Sequence, residues 1–157
     1  MGLEIERKFL VDHEKWEEIN KPDGIHYRQG YLVDEPGKTI RVRVAGKKGF
    51  ITIKGSTRGI TRKEFEYEIP VDEAVQLIDG FAGSEVEKIR YGITFEGNLW
   101  EVDEFLGDNK DLIMAEIELK QEDEAFEKPG WITREVSDDK RYYNSYLAKN
   151  PYRQWRK

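Results

Sequence analysis

Polar and apolar residues alternate along most of this chain. In the opening stretch MGLEIERKFLV, Glu4, Glu6 and Lys8 fall at every second position. A period of two is that of a β-strand, in which successive side chains point to opposite faces. The same alternation predicts eight strands, near residues 3–11, 26–33, 39–46, 50–55, 60–69, 85–96, 98–106 and 112–120.

Short turn sequences separate most of the predicted strands. DEPGK precedes Thr39, GKKG precedes Phe50 and EGN occupies 96–98, and these residue types favour tight turns. We therefore expect antiparallel hairpins. Helical patterns are fewer and predict helices near residues 13–19, 71–81, 122–127 and 138–150. The sequence predicts one α+β domain over residues 1–157, mostly β, arranged as a sandwich or a barrel.

Charges of like sign are sorted onto particular strands. The polar faces of TIRVR and TIK carry only cations, whereas those of EFEYE and AEIEL carry only anions. Because adjacent like charges destabilise a sheet, this sorting indicates a bound ligand that offsets the repulsion. A metal-bound polyphosphate would satisfy both kinds of strand, since carboxylates bind divalent cations and Lys and Arg bind phosphate. The alternative is a charged outer surface over an apolar barrel interior, because periodicity does not show which face points inward.

Composition narrows the class of protein. Hydrophobic residues make up 38% and aromatic residues 12% of the 157 residues, which is enough packing material for a folded domain. The chain has no Cys and begins without an apolar signal segment, so we expect a cytoplasmic protein. A net charge of -6 argues against nucleic-acid binding, and two His residues leave little material for a His-based metal site or triad.

The opening stretch and eight further sequence blocks, in order, resemble one known family. EIERKFLV matches the E-x-E-x-K signature of the CYTH superfamily, the triphosphate tunnel metalloenzymes. The blocks that follow it in order are RQGYL, IRVR, TIKG, RKEFEYEI, VEKIRY, WEVDEF, AEIEL and REVSDDKRYYN. The resemblance implies a closed eight-stranded antiparallel β-barrel that forms a tunnel, with the charged faces inward and the apolar faces outward beneath helices.

The resemblance also implies roles for individual carboxylates and cations. Ligands of Mg²⁺ or Mn²⁺ would be Glu4, Glu6, Asp103, Glu116 and Glu118. A second metal or the attacking water would lie near Glu64 and Glu66, which have the alternative role of pairing with tunnel cations. The triphosphate would be bound by Lys8, Arg41, Arg43, Lys54, Lys88 and Arg90, with Lys140 or Arg141 at one end.

Tyr31 and Lys88 are the residues that the resemblance places at the reacting phosphate. Lys88, its pKa lowered by Arg90 and Arg43, would act with Tyr31 in proton transfer. For Tyr31, a packing role is the alternative. The segment KRYYNSYLAKN would either close one end of the tunnel as a lid or cover the outside of the barrel.

The expected activity is the metal-dependent hydrolysis of inorganic triphosphate to pyrophosphate and phosphate. Alternatives on the same tunnel are a class IV adenylate cyclase, a nucleoside triphosphatase and a thiamine triphosphatase. A further alternative, which is not an enzyme, is a module that binds polyphosphate without turnover. We expect a small polyphosphate as the partner, with neither nucleic acid nor a membrane, and a homodimer is left open.

Overall fold

Nine strands and three α-helices make up the computed structural model, which describes residues 2–155. The strands are β1 (Gly2–Val11), β2 (Ile25–Glu35), β3 (Lys38–Ala45), β4 (Lys48–Arg58), β5 (Thr61–Ile69), β6 (Ser84–Phe95), β7 (Asn98–Phe105), β8 (Ile113–Glu118) and β9 (Ile132–Glu135). The helices are α1 (His13–Glu18), α2 (Val71–Phe81) and α3 (Asn144–Lys149). Short 3₁₀ turns lie at Gly107–Asn109, Lys140–Tyr142 and Tyr152–Gln154. Within the described residues, no helix has the length and apolar character to cross a membrane.

Eight of the strands close into an antiparallel barrel. Their order around the ring is β5, β4, β3, β2, β6, β7, β8 and β1, and β1 pairs back with β5. In β1, Glu4 lies opposite Arg62 of β5, while Lys8 lies opposite Glu116 of β8. The predicted barrel is therefore confirmed, and each predicted strand is present with its ends within three residues of the prediction.

Three local predictions differ from the structure. The ninth strand, β9, was not predicted; it pairs with β1 beyond the ring, with Phe9 opposite Glu135. The segment 122–127 is not helical, because Phe126 packs against the rings of Phe9 and Trp100 and holds the chain in an irregular path. The helix predicted at 138–150 is broken by the extended backbone of Tyr143, which separates a 3₁₀ turn from α3.

The largest apolar core lies outside the barrel. Phe9, Trp100 and Ile117 point away from the ring and pack with Trp16 of α1 and with Trp131. The rings of Trp16 and Trp131 meet edge to face, with centroids 5.1 Å apart. Burying these large side chains stabilises the fold by roughly 1.5–3 kcal/mol each. The barrel interior is thereby left free for polar residues.

Helix α2 covers the outer face of β2, β3 and β4. Its Ala74 and Ile78 are buried against Val42 of β3. Two glycines allow this close approach, because a Cβ at Gly30 would lie 2.8 Å from Ala82 Cβ and one at Gly49 would lie 2.7 Å from Ala74 Cβ. We therefore attribute the glycine at each of these strand positions to helix packing.

Candidate active site

The inward faces of the barrel strands enclose a cavity of about 290 Å³. Residues directly opposite in a strand pair share a face, so the register aligns a row of inward side chains across β2 to β5: Tyr31, Arg41, Thr52 and Glu66. Among the described residues, seven cations and seven carboxylates line the cavity: Lys8, Arg41, Arg43, Lys54, Arg62, Lys88 and Arg90, with Glu4, Glu6, Glu64, Glu66, Glu101, Glu116 and Glu118. The prediction that the charged faces point inward is confirmed, and the alternative of an apolar interior is wrong.

Although each strand carries mainly one sign of charge, cations on one strand form ion pairs with carboxylates on other strands. Lys54 of β4 lies 3.2 Å from Glu4 and 3.4 Å from Glu64. Lys8 of β1 lies 3.5 Å from Glu116 of β8. The like-charge repulsion within each strand is therefore partly offset by its neighbours. These pairs are largely buried, where the cost of removing charges from water is high and mutual pairing is needed.

Crowded carboxylates make part of the cavity suited to a divalent cation. Glu6 lies opposite Glu118, and Glu116 lies opposite Glu101. Burial and the neighbouring Glu116 raise the pKa of Glu6 to about 7. Burial alone would also raise the pKa of Glu4, but Lys54 beside it holds that pKa below its usual value.

The donor chemistry of this region fits Mg²⁺ or Mn²⁺, which prefer carboxylate oxygens and would relieve the repulsion between them. Across residues 2–155, no three acidic or histidine side chains converge into a complete coordination site. Lys8 lies between Glu6 and Glu116, at 3.7 and 3.5 Å. A bound metal would therefore replace Lys8 as the partner of these two carboxylates.

Lys88 is buried at the centre of the polar network. Its Nζ lies 2.8 Å from Asp103 Oδ2 and donates a hydrogen bond of 2.9 Å to Asn144 Oδ1. Burial lowers the pKa of Lys88 to about 7, and Arg90 and Arg43 add to that shift, while Asp103 opposes it. The sequence attributed the lowered pKa to the two arginines alone, whereas burial is the larger cause. Asp103 also accepts two hydrogen bonds from Arg90, at 2.7 and 2.9 Å.

A chain of hydrogen bonds joins the two predicted catalytic residues. Gln29 Nε2 donates to Tyr31 Oη at 3.2 Å and to Asn144 Oδ1 at 3.5 Å, and Asn144 in turn accepts from Lys88. Tyr31 and Lys88 both line the cavity, but Lys88 lies opposite Tyr27, four residues from Tyr31 along β2, and two amide side chains connect them. Gln29 is fully buried, so these amides fix the positions of the polar atoms around the two residues.

Arg43 is held by an aromatic ring and an amide. Its guanidinium lies 4.8 Å from the ring centroid of Tyr27, and its Nε donates to Gln29 Oε1 at 2.8 Å. The Arg90 guanidinium lies 5.1 Å from the same ring. Burial, together with Arg41 and Arg90, lowers the pKa of Arg43 to about 10. This concentration of positive charge is a strong attractor for a polyanion.

The structure gathers most of the predicted site residues into the cavity. Asp103 lies behind the lining, where Lys88 and Arg90 occupy its carboxylate. Lys140 and Arg141 do not line the cavity, because Lys140 lies in a surface groove and Arg141 pairs with Asp139 at 2.7 Å.

Several lining residues were missed by the sequence analysis. They are Tyr27, Thr39, Ala45, Phe50, Arg62, Glu101, Tyr143, Asn144 and Ser145. The alternation itself predicts those that lie on strands; for example, Tyr27 precedes Gln29, and Arg62 precedes Glu64, each at a spacing of two. For the residues at 143–145, the predicted continuous helix concealed the break that turns Asn144 inward.

The C-terminal segment closes one end of the tunnel. Val86, Phe105 and Met114 are inward residues at that end, and they form a buried cluster with Tyr142 and Leu147. Leu147 has no exposed surface. The segment thus fills the end of the barrel interior and does not merely cover the outer wall. Its Asn144 stands at the boundary between this apolar plug and the charged cavity.

Comparisons with known proteins agree with this architecture. The CYTH domain is matched over residues 2–145. An inorganic triphosphatase of Acetivibrio thermocellus is 50% identical over 157 residues, with 99% of each chain covered. An inorganic triphosphatase of Nitrosomonas europaea is 40% identical over 153 residues, covering 92% of this chain and 96% of that protein.

Solved structures show the same fold. A crystal structure described as an inorganic triphosphatase superimposes with a TM-score of 0.64 at 36% identity, covering 92% of this chain and 93% of the other. A putative adenylate cyclase from Bacillus halodurans gives a TM-score of 0.63 at 18% identity, covering 78% of this chain and 84% of that one. At that identity, the second likeness concerns the fold alone.

Proposed function

The chain belongs to the CYTH domain family, and on that premise we propose that it is a metal-dependent inorganic triphosphatase. It hydrolyses tripolyphosphate to pyrophosphate and phosphate. The observation that carries this proposal is a closed barrel whose cavity is lined by seven cations and seven carboxylates. The inorganic triphosphatases at 50% and 40% identity support the choice of substrate.

In the reaction, the oxygen of a water molecule forms a bond to the terminal phosphorus. The phosphoanhydride bond to that phosphorus breaks, and pyrophosphate leaves with the bonding electron pair. Such a transfer needs positioning and the neutralisation of charge on the phosphate oxygens. Lys8, Arg41, Lys54 and Arg90 would supply part of that charge. The two Nη groups of Arg43 suit bidentate contacts with phosphate, since only its Nε is engaged, by Gln29.

The metal would be held by carboxylates of β1 and β8. The proposed ligands are Glu4, Glu6, Glu116 and Glu118, with Glu64 and Glu66 for a second metal or the water. When bound, Mg²⁺ or Mn²⁺ supplies charge that stabilises the phosphate oxygens and the attacking water. We propose Asp103 as a further ligand only if it releases Lys88 or Arg90, which now occupy its carboxylate.

Tyr31 and Lys88 are the residues that we assign to proton transfer. Both line the cavity, and Asn144 and Gln29 fix their polar atoms. The proton that the water loses would pass to this pair, in which burial lowers the pKa of Lys88 to about 7.

A substrate panel tests the proposal. Phosphate release would be measured with tripolyphosphate, ATP and thiamine triphosphate, each with Mg²⁺ and with Mn²⁺. We expect tripolyphosphate to give the highest kcat/KM, with pyrophosphate as the second product. Negligible release from tripolyphosphate alongside rapid turnover of ATP or thiamine triphosphate would refute the proposal. Cyclic AMP formed from ATP would indicate a cyclase, and binding without turnover would indicate a polyphosphate-binding module.

A further inference from the structure

Among the described residues, two of the seven cavity cations form no ion pair with a carboxylate. Lys8, Arg41, Lys54, Lys88 and Arg90 each form an ion pair within the barrel. Within residues 2–155, Arg43 and Arg62 form none. Arg43 is held by Tyr27 and Gln29, as described above. Arg62 lacks such a substitute, and its Nε is buried without a hydrogen-bond partner.

The positive charge of Arg62 does not stabilise the fold through an ion pair with a neighbouring residue. It lies opposite Glu4 in the register, but Glu4 is engaged by Lys54 instead. Arg62 also lies close enough to Lys54 to lower the pKa of that ammonium by repulsion. A cation that repels its neighbour and lacks a partner is an unfavourable feature in an empty barrel. A bound anion would satisfy it.

Arg62 lies away from the row that contains Tyr31. That row crosses the sheet from Tyr31 to Arg41, Thr52 and Glu66, and Arg62 is four residues from Glu66 along β5. At the rise of a β-strand, four residues correspond to roughly 13 Å. Arg43 is displaced from the same row in the opposite direction, since it lies level with Phe50 and Glu68. The two unpaired guanidiniums therefore flank the row.

We propose that Arg62 binds the phosphate farthest from Tyr31 and thereby selects inorganic tripolyphosphate over nucleoside triphosphates. This inference rests on the proposed function, in which Tyr31 and Lys88 act on the near phosphate. Lys88 lies level with Tyr27, on the Arg43 side of the row and therefore away from Arg62. In tripolyphosphate the far phosphate is a free terminal group with up to two negative charges. In a nucleoside triphosphate the corresponding phosphate is esterified to ribose and carries one charge. A guanidinium fork gains more from the free group, which offers two unsubstituted oxygens to bidentate contacts without a ribose beside them.

The test compares Arg62→Gln, Arg62→Lys and a matched control, Lys63→Gln. Lys63 is the next residue in β5; it is exposed and its side chain points out of the barrel, opposite Leu3. We expect Arg62→Gln to lower kcat/KM for tripolyphosphate by about 10- to 100-fold, the range of a charged hydrogen bond. The value for ATP should fall by less than about 3-fold, Arg62→Lys should be intermediate, and Lys63→Gln should match the wild type. An equal loss for both substrates, or no loss for tripolyphosphate, would overturn the proposal.

Calorimetric titration of each variant with tripolyphosphate in the absence of metal separates this proposal from the activity. We expect Arg62→Gln to weaken binding by a factor similar to its loss in kcat/KM, while its thermal midpoint without ligand stays level or rises. If the wild type binds tripolyphosphate but does not hydrolyse it, the proposed function fails and weaker binding by Arg62→Gln still supports the role of Arg62. If the variant binds like the wild type, the role of Arg62 is refuted whatever the activity.

Discussion

Asn144 Oδ1 lies 2.9 Å from Lys88 Nζ, and this contact joins the C-terminal segment to the centre of the tunnel. Lys88 lies on β6 and Asn144 is the first residue of α3, 56 positions later in the chain. The amide oxygen gives the ammonium group a neutral partner in addition to the charged Asp103. The position of α3 and the orientation of the Lys88 side chain are therefore linked.

Replacing Asn144 should impair catalysis more than substrate binding. Asn144→Ala removes the acceptor for Lys88 and the link to Gln29. We expect kcat for tripolyphosphate to fall by about 10-fold or more, the range for a misplaced catalytic group, with KM changed by less than about 3-fold. The exposed Asn150→Ala is the control and should match the wild type. A rise in KM with unchanged kcat would contradict this role.

Removing a proposed metal ligand should abolish turnover while leaving the fold intact. Glu4→Gln and Glu116→Gln each keep the side-chain size and remove one carboxylate charge from the cavity. We expect kcat to fall by at least about 100-fold, as for outright loss of a metal-binding group. The circular dichroism spectrum should be unchanged, and the exposed Glu17→Gln on α1 serves as the control. Near-normal turnover of both variants at saturating metal would show that these carboxylates are structural.

The pair assigned to proton transfer can be tested by two conservative changes. Lys88→Met keeps the length of the side chain without its amine, and Tyr31→Phe keeps the ring without its hydroxyl. We expect losses in kcat of about 100- to 10,000-fold for Lys88→Met, the usual range for a general base. The decrease in kcat for Tyr31→Phe should be smaller, because the ring and any packing that it provides are kept. If steady-state kinetics show kcat for Tyr31→Phe within 2-fold of the wild type, Tyr31 has the packing role alone.

Truncating the apolar plug should destabilise the closed end of the tunnel. Leu147→Ala opens a cavity among Val86, Phe105 and Met114, and a buried Leu→Ala change costs about 2–5 kcal/mol. Urea unfolding should show that loss in the free energy of unfolding. Leu99→Ala is the matched control, because Leu99 is 55% exposed on β7 and should change stability by less than about 0.5 kcal/mol. Equal effects of the two changes would place Leu147 outside the core.

The ion pair that ties β9 to β1 should give a pH-dependent contribution to stability. Arg7 donates to both oxygens of Glu135, at 2.8 and 2.6 Å, and these hydrogen bonds lower the pKa of Glu135 below its ordinary value of 4.5. A lowered pKa in the folded state means that the contribution is present above pH 4.5 and is lost as the pH falls through the folded-state value. We expect Glu135→Gln to be less stable than the wild type at pH 7, by at most about 1 kcal/mol for so exposed a pair. The difference in urea midpoint should narrow below pH 4.5; a constant difference would exclude this ionisation as its cause.

Periodicity predicted the barrel strands because one face of each strand is charged and the other is apolar. The position of β9 escaped this reasoning, since a strand of four residues, ITRE, is too short to show a period. The segment 122–127 has a helical composition, but the contact of Phe126 with Phe9 and Trp100 decides its path. Such a tertiary contact overrides a weak local preference.

The residues that line the cavity could be predicted where they lie on β-strands. Arg62 and Tyr27 follow the same alternation as their neighbours, so a stricter use of the period would have included them. The pairing of Asp103 with Lys88 and Arg90 depends on which strands become neighbours, which the sequence pattern does not specify. Asn144 points inward because the backbone of Tyr143 is extended, and no local sequence pattern predicts that break in the helix.

The location of the main apolar core outside the ring affects how this protein can change over evolutionary time. Stability depends largely on the outward residues of each strand and chemistry on the inward ones, so a substitution on one face leaves the other face in place. Selection can therefore replace residues of the tunnel lining with little loss of folding stability. Insertion of a single residue within a strand is different, because it exchanges the two faces beyond that point and turns charges into the core and aromatic rings into the tunnel. Descendants of this chain should thus diverge by replacement within strands and by length change only in the connecting loops.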